Sequence, residues 1–352
     1  MSRPRLTHLV LLVVLVLVLA APLAVETSLL TIGLFAMAAI VGALGLTILT
    51  GAAGQLSLGH AFFLAVGAYG YAVLAGDPEG DVAGLGLPPV VAMVGAIVLS
   101  GLFGLAFSPV SSRLQGIYLG IASLGLVFLG QHVLLNAHSL TGGFNGRSVE
   151  SFSVLGLAFD DSGDFSVLGV PFESSERRWY LFVILTIIAI VIARNVLGAR
   201  PGRAFRLLRD SSIGADMMGI DTRQARRSAF LLASMYGGAA GVMTALAFER
   251  AVPQYYDFHL AVNFLVMITL GGLASIWGGV GGAIVVSALP LLLSKYAANL
   301  PLVADASGGG GGLAASVAAS FIYGFLVIAV LLLRATGGLD RLTSATRSQS
   351  VH

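Results

Sequence analysis

The polar side chains with the most suggestive spacing lie in one stretch between two long apolar runs. Residues 49–60 read LTGAAGQLSLGH. The hydroxyl, amide and imidazole groups can hydrogen-bond a polar solute, and the glycines permit a break in a helix. If the flanking runs cross a membrane, irregular backbone is tolerated there only where it is buried in protein or lines an aqueous cavity. We therefore predict a broken helix beside a polar pathway, formed by Thr50, Gly51, Gly54, Gln55, Ser57, Gly59 and His60.

A second glycine cluster lies in the other half of the chain. Residues 267–286 read MITLGGLASIWGGVGGAIVV and add Gly271 and Gly272 to the predicted pathway. Glycine-interrupted segments in corresponding halves can indicate a transport site between inverted repeats. For the glycines alone, close approach of neighbouring helices is the better explanation. The glutamine and histidine of the first stretch favour a cavity, because polar groups are costly in a membrane unless they are satisfied.

Other chemistry is sparse in this sequence. It contains no cysteine, and His60, His132, His138 and His259 lack the H-E-x-x-H spacing of a metal site. Ser57 is not in a G-x-S-x-G motif, no carboxylate pair lies inside an apolar run, and no G-x-x-x-x-G-K-[ST] motif is present. The sequence predicts no catalytic site, no metal and no cofactor in this chain. Energy for uphill transport must then come from another subunit.

The elements that position these residues follow from composition. Of the 352 residues, 57% are hydrophobic and 10% charged, with a mean hydropathy of +0.93. A helix needs about 20 apolar residues to cross a bilayer. We predict an all-α polytopic membrane protein, a single domain over 1–352, with about ten transmembrane helices at 6–25, 28–49, 57–75, 88–108, 116–136, 179–197, 226–248, 261–277, 279–298 and 317–334. The first run resembles a signal peptide but is longer than the usual apolar core, which favours a retained helix.

The distribution of charge orients these helices. With ten spans and the N-terminus inside, fourteen of the nineteen basic residues face the cytoplasm, which predicts that both termini are cytoplasmic. An acidic segment at 136–178 then lies outside, as a docking or lid surface or, equally well, a passive linker. The SGGGGG run at 307–312 is predicted to be a flexible external loop.

A basic segment at 198–227 is predicted to lie in the cytoplasm. Its pattern indicates two short helices joined at 210–212, the second of which stops at Gly219. The pair can form a knob that docks on a protein, an amphipathic surface that meets anionic lipid, or both. An apolar tip on this knob would need a protein partner.

The sequence resembles the permease subunits of branched-chain amino-acid ABC importers. The resemblance is carried by GLTILTGAAGQLSLGHAFFLAVGAY, LQGIYLGIASLGLVFLGQHVLLNAHSLTGGFNG, GRAFRLLRDSSIGADMMGI, ITLGGLASIWGGVGGAI and IYGFLVIAVLLL, in that order. The TGGFNG run is similar to the larger of the two permease paralogues of such importers. The resemblance implies a permease in the cytoplasmic (inner) membrane, which works with a second permease subunit, two cytoplasmic ATPase subunits and a periplasmic or lipid-anchored substrate-binding protein, with membrane lipid around it and no nucleic acid.

The same resemblance implies a role for the basic segment. It is similar to the coupling segment that docks on the ATPase, and the matching positions are Gly202, Arg203, Arg206, Asp210, Ala215, Gly219 and Ile220. The sequence departs from the family where an acid is common, because Ser212 stands there.

The expected function is ATP-driven import of branched-chain or related amino acids by alternating access. Urea or short amides are alternative substrates of similar permeases. A stand-alone channel or secondary transporter is a further alternative, which the lack of intramembrane carboxylates and the basic segment disfavour.

Overall fold

The computed structural model describes residues 16–23, 25–78, 82–154, 157–158, 166–167, 170–171, 174–296 and 315–335. The predicted start of the first span (6–15), the 307–312 loop and the chain after residue 335 lie outside the described residues. The helices are α1 (16–23), α2 (Thr27–Leu46), α3 (His60–Ala75), α4 (Pro89–Arg113), α5 (Ile117–Asn136), α6 (His138–Thr141), α7 (Ser174–Gly198), α8 (Arg200–Asp210), α9 (Ser212–Met217), α10 (Thr222–Phe248), α11 (Phe258–Gly271), α12 (Ile276–Lys295) and α13 (Ala315–Ala335).

Six of the described helices are long and apolar enough to cross a membrane. They are Thr27–Ala52, Pro89–Arg113, Ile117–Asn136, Ser175–Gly198, Thr222–Phe248 and Ile276–Lys295. Two shorter apolar helices, His60–Ala75 and Val317–Val330, coincide with two more of the predicted windows. The all-α, multi-pass architecture is therefore confirmed, while the count of ten spans stays a prediction.

Two helices form the centre of the bundle. In the apolar windows of α2 and α10, 89% and 78% of the residues are buried, against 22–28% in α4, α5, α7 and α12. α10 packs against α2, α3 and α4, and α2 also contacts α7 and α12. The peripheral helices turn apolar side chains outward, as helices do where lipid replaces water as the solvent.

Several helix boundaries differ from those predicted. α7 begins at Ser174, inside the segment assigned to the outer loop, and Glu176 lies in its first turn. An acid there is favourable because it faces the positive end of the helix dipole. α10 begins at Thr222, inside the basic segment, because the Asp221 side chain accepts a hydrogen bond from the Gln224 N–H and caps the helix.

The predicted span at 261–277 is wrong at its end. The chain leaves the helix after Gly271, and Gly272 has a φ of +104°, a conformation that L side chains rarely adopt. The next helix begins at Ile276, where the Ser275 hydroxyl accepts a hydrogen bond from the Gly278 N–H. A window that averages hydropathy cannot detect a turn made of glycine and a capping serine.

The outer segment contains short strands between α6 and α7. β1 (Arg147–Ser148) pairs antiparallel with β6 (Arg250–Ala251), which ties this segment to the connection between α10 and α11. β2 (Ser153–Val154) pairs with β3 (Leu157–Ala158), and β4 (Ser166–Val167) pairs with β5 (Val170–Pro171). Whether this segment is a docking surface stays a prediction.

Candidate translocation and coupling site

The predicted helix break is present at the end of α2. A π-helical turn, Thr47–Ala52, follows α2, residues 53–59 have no regular structure apart from a turn and a bend, and α3 begins at His60. The α-helix that precedes the break, Thr27–Leu46, has 20 residues and is about 30 Å long, close to the thickness of a hydrocarbon core. The break ends at His60, whose ring lies beside Gly45 of α2 and Gly237, and Gly237 is near the middle of α10.

Two buried polar side chains of the break have polar atoms that make no hydrogen bond within the described part of the chain. Gln55 is 5% exposed and His60 is 2% exposed. Among the described residues, nothing hydrogen-bonds to the side-chain amide nitrogen or oxygen of Gln55, or to Nε2 of His60. Buried polar groups without partners are rare and costly. These two residues are therefore the best placed of the stretch to bond a solute or a neighbouring subunit.

The other polar groups of the break bond to the stretch itself. The Thr50 hydroxyl donates to the Gln55 carbonyl at 3.0 Å, and the Ser57 hydroxyl accepts from the Gly59 N–H at 3.2 Å. The Leu58 N–H donates to the Ser123 hydroxyl on α5 at 2.8 Å. These bonds fix the path of the chain between α2 and α3.

The two glycine-rich segments of the sequence meet in space. A Cβ on Gly51 would lie 1.5 Å from the Leu273 carbonyl oxygen, and one on Gly279 would lie 2.8 Å from the Thr47 hydroxyl oxygen. Gly271 and Gly278 are equally close, because a Cβ on Gly271 would lie 1.7 Å from the Gly278 oxygen. These glycines serve close helix packing. That Gly51, Gly271 and Gly272 also face a pathway stays a prediction.

The basic segment folds as the two predicted short helices. On α8, Gly202, Phe205 and Leu208 are buried, while Arg203, Arg206 and Asp210 are exposed. Gly202 permits the tight turn from α7, since a Cβ there would lie 2.2 Å from the Leu197 carbonyl oxygen. The Arg206 guanidinium donates to that same carbonyl at 3.0 Å.

The second helix ends as the sequence predicts. Ala215 is buried, Gly219 has a φ of +76°, and the Ile220 N–H donates to the Ala215 carbonyl at 3.0 Å. Glycine just past the last turn, with a backbone bond across it, is the common way to end a helix. The tip of α9 is apolar and exposed: Ile213 is 72%, Met217 85% and Met218 73% exposed. This apolar tip comprises Ile213, Met217 and Met218.

One residue that the sequence did not single out joins the two parts of the site. Arg209, at the end of α8, donates from Nη1 to the Gly51 carbonyl at 3.0 Å. Its Cα, Cβ and Cγ also cover Gly54, where a Cβ would lie 2.7 Å from Arg209 Cγ and where φ is +69°. The basic segment is therefore in direct contact with the break. The regular spacing of arginines on α8 was the available sequence signal. It could not show which of these arginines contacts Gly51, 158 positions earlier in the chain.

The family of this chain follows from comparison with known proteins. A family model described as "Branched-chain amino acid transport system / permease component" matches residues 28–331. The chain belongs to this permease family.

Individual relatives agree with that assignment. The chain is 30% identical over 298 residues, 82% of its length and 67% of the relative, to the high-affinity branched-chain amino acid transport system permease protein LivM of Escherichia coli K12. It is 23% identical over 265 residues, 72% of its length and 81% of the relative, to the permease protein LivH of the Salmonella typhimurium system. No solved structure matches the chain significantly. The resemblance to LivM-like permeases is confirmed, and this member of the permease family is a multi-pass membrane protein of the inner membrane.

Proposed function

We propose that this chain is a permease subunit of an ATP-driven importer that moves branched-chain or related amino acids across the cytoplasmic membrane. ATP is hydrolysed in separate subunits, and both termini lie in the cytoplasm. The single observation that carries the proposal is the contact of Arg209 with Gly51 and Gly54, which links the basic segment to the break between α2 and α3. The names of the relatives support the substrate class.

The proposed mechanism is alternating access. Closure of two ATPase subunits displaces α8 and α9, and Arg209 transmits the movement to the end of α2, the most buried of the candidate spans. The break then rearranges, and Gln55 and His60 become available to the solute. A hydrogen bond from a charged donor is worth about 1.5–3 kcal/mol, enough to bias two conformations of the break by tenfold or more.

The apolar tip of α9 is the proposed ATPase contact. Ile213 and Met217 on α9 and Met218 directly after it are costly to expose to water, because each buried methylene gains about 0.8 kcal/mol. A groove on a cytoplasmic ATPase subunit would cover them. A second permease subunit and a periplasmic or lipid-anchored binding protein complete the proposed assembly.

The decisive experiment compares two arginine variants in the complete complex. Arg209→Gln removes the bond to Gly51, whereas Arg227→Gln removes the same charge from an exposed residue near the start of α10. Both complexes are reconstituted in liposomes with the binding protein, and ATP hydrolysis and leucine uptake are measured together.

We expect Arg209→Gln to retain hydrolysis and to lose at least tenfold in leucine moved per ATP, with Arg227→Gln unchanged. Equal coupling in both variants would remove Arg209 from the mechanism. Uptake by this chain alone, without ATPase subunits, would refute the ABC assignment in favour of a channel or secondary transporter. Uptake of urea in place of leucine would move the protein to the alternative substrate class.

A further inference from the structure

A cavity of about 210 Å³ lies between α2, α3, α10, α11 and α12. Its walls are mainly apolar, with Phe35, Phe264 and Met267 among them. Polar groups interrupt them at Thr244, Asn263, Ser287 and the phenol of Tyr255. A water molecule takes up about 30 Å³ of liquid, so the cavity has room for one small organic molecule.

The cavity is separate from the predicted pathway residues, yet it adjoins them. Leu64, one turn beyond His60 on α3, lines it. The His60 ring packs edge-on against Phe264 with centroids 5.0 Å apart, so a single aromatic side chain separates that histidine from the cavity.

The cavity lies far from the coupling segment. Thr244 is 22 residues beyond the start of α10, about 33 Å along the helix axis. If the basic segment is cytoplasmic, the cavity therefore belongs to the outer half of the bundle, where an imported solute arrives first.

The polar groups of the cavity present a matched set of donors and acceptors. The Thr244 hydroxyl donates to the Ala240 carbonyl at 2.8 Å, and the Ser287 hydroxyl donates to the Ala283 carbonyl at 2.7 Å. Each hydroxyl thus uses its only proton within its own helix and keeps lone pairs to accept from a ligand. The Asn263 amide has no hydrogen-bond partner among the described residues, so it can donate as well as accept.

No lining residue of this cavity carries a formal charge at neutral pH. The one titratable group is Tyr255, and burial raises its pKa to about 12, so the phenol stays neutral. A ligand with net charge would therefore enter an apolar cavity without a counter-ion, which is costly. A net-neutral ligand brings no net charge, and the charged ends of a zwitterion would be stabilised through hydrogen bonds to the Thr244, Asn263 and Ser287 side chains.

We propose that this cavity binds a small, net-neutral solute with an apolar tail. The ammonium of a neutral amino acid donates to the Thr244 and Ser287 oxygens, its carboxylate accepts from the Asn263 amide, and its side chain packs against Phe264 and Met267. This inference rests on the proposed import function and narrows its substrate class. Each buried methylene adds about fourfold in affinity, so leucine is favoured and urea, which has no tail, is disfavoured.

The absence of cysteine in the chain allows a direct test. Ser287→Cys is a nearly isosteric change that places the only thiol of this chain in the cavity. Ala288→Cys, at the next residue of α12, is half-buried like Ser287 but does not line the cavity. In each case the complete complex is reconstituted, any cysteines of its other subunits are first replaced, and the rate of reaction with a small methanethiosulfonate is measured with leucine, urea or arginine present.

We expect leucine to slow the reaction at Ser287→Cys at least tenfold, urea and arginine at equal concentration to leave it unchanged, and the control thiol to respond to none of them. Adding Asn263→Leu should weaken the protection by leucine at least tenfold. If Ser287→Cys fails to assemble, Leu291→Cys, at an apolar lining position, serves as the reporter, with Leu292→Cys as its control on α12.

No protection by leucine, or equal protection by urea, overturns the proposal. Full protection in the Asn263→Leu variant overturns the role of that amide. ATP-driven leucine uptake, measured in the same liposomes, keeps the two proposals apart. Uptake without protection refutes the cavity and leaves the importer standing, whereas protection without ATP-driven uptake refutes the importer.

Discussion

Two adjacent glycines on α12 provide a sharp test of how this bundle is held together. A Cβ on Gly282 would lie 1.9 Å from the Met267 carbonyl oxygen on α11, whereas a Cβ on Gly281 meets no atom within 4 Å. Gly282→Ala and Gly281→Ala therefore make the same chemical change at neighbouring positions of one helix. They differ only in what the added methyl group touches.

The expected magnitude follows from this geometry. The obstructing atom at Gly282 is backbone and cannot rotate away, so α11 and α12 must part by about 1.5 Å before the methyl reaches ordinary contact at 3.4 Å. Such overpacking typically costs about 1–3 kcal/mol. Alanine recovers up to about 1 kcal/mol of helix propensity at either site. We expect Gly282→Ala to be destabilising by about 1–2 kcal/mol and Gly281→Ala to be neutral or slightly stabilising.

The assay is thermal unfolding of the detergent-solubilised complex, followed by fluorescence-detected size exclusion. The midpoint for Gly282→Ala should fall by several degrees, while that for Gly281→Ala should not fall. Parting the helices would also disturb the Gly271–Gly278 contact and the Gly51–Leu273 contact beside the break, so leucine uptake should fall with Gly282→Ala even where the protein remains folded. Equal midpoints for the two variants would refute the reasoning, because close backbone approach would then not be what the glycine provides.

Three further predictions address the coupling site and one exposed ion pair. Gly219→Val should reduce leucine uptake per ATP, because φ is +76° at this residue and valine rarely adopts that conformation. Gly219→Asn should retain more uptake per ATP, since asparagine tolerates this conformation. An equal loss in both variants would indicate that any side chain at residue 219 is harmful, whatever its backbone preference. Gly54→Leu should abolish uptake without loss of expression, because it meets both a positive φ and Arg209, while Gly125→Leu, where no atom lies within 4 Å, should remain active. The Lys295 ammonium lowers the pKa of Glu26, first through a hydrogen bond, so this pair should stabilise the fold above the ordinary glutamate pKa and lose its effect as the pH falls through the lowered value. Glu26→Gln should accordingly lower the melting midpoint slightly at pH 7 and not at the acid end of the range; a pH-independent difference would contradict the ion pair.

The parts that the sequence predicts well are those governed by local chemistry. Long apolar runs predict the helices, and Gly51, Gly54 and Gly59 predict the break, because glycine frees the backbone wherever it stands. Gly219 marks the end of α9 for the same reason. The helix start at Thr222 was missed because the Asp221 side chain decides it and a hydropathy window averages one capping residue away. The start at Ser174 was missed because the first turns of α7, SSERR, are polar and lower the mean hydropathy of the window.

The parts that the sequence could not predict depend on long-range packing. Thr244, Asn263 and Ser287 are isolated polar residues on different helices, and each could have satisfied itself within its own helix, as both hydroxyls partly do. Only the fold brings them to one cavity. The available signal in the sequence was Asn263, because an amide side chain within an apolar helix is a candidate functional residue.

The distribution of burial supports the proposal that the coupling contact is at the end of α2. Four candidate spans are largely peripheral: α4, α5, α7 and α12. Displacement of any of these helices would move it mainly against the surrounding lipid rather than against the rest of the bundle. α2 is the most buried candidate span and contacts α7, α10 and α12, so displacement of its end is felt by most of the bundle. Packed cores respond to such a push by switching between discrete arrangements rather than by bending smoothly. Arg209 contacts the residues where α2 has left regular helix, and the proposed mechanism requires these residues to adopt a second backbone path. In the proposed mechanism, the Arg209 guanidinium is therefore the group on α8 that transmits movement to α2.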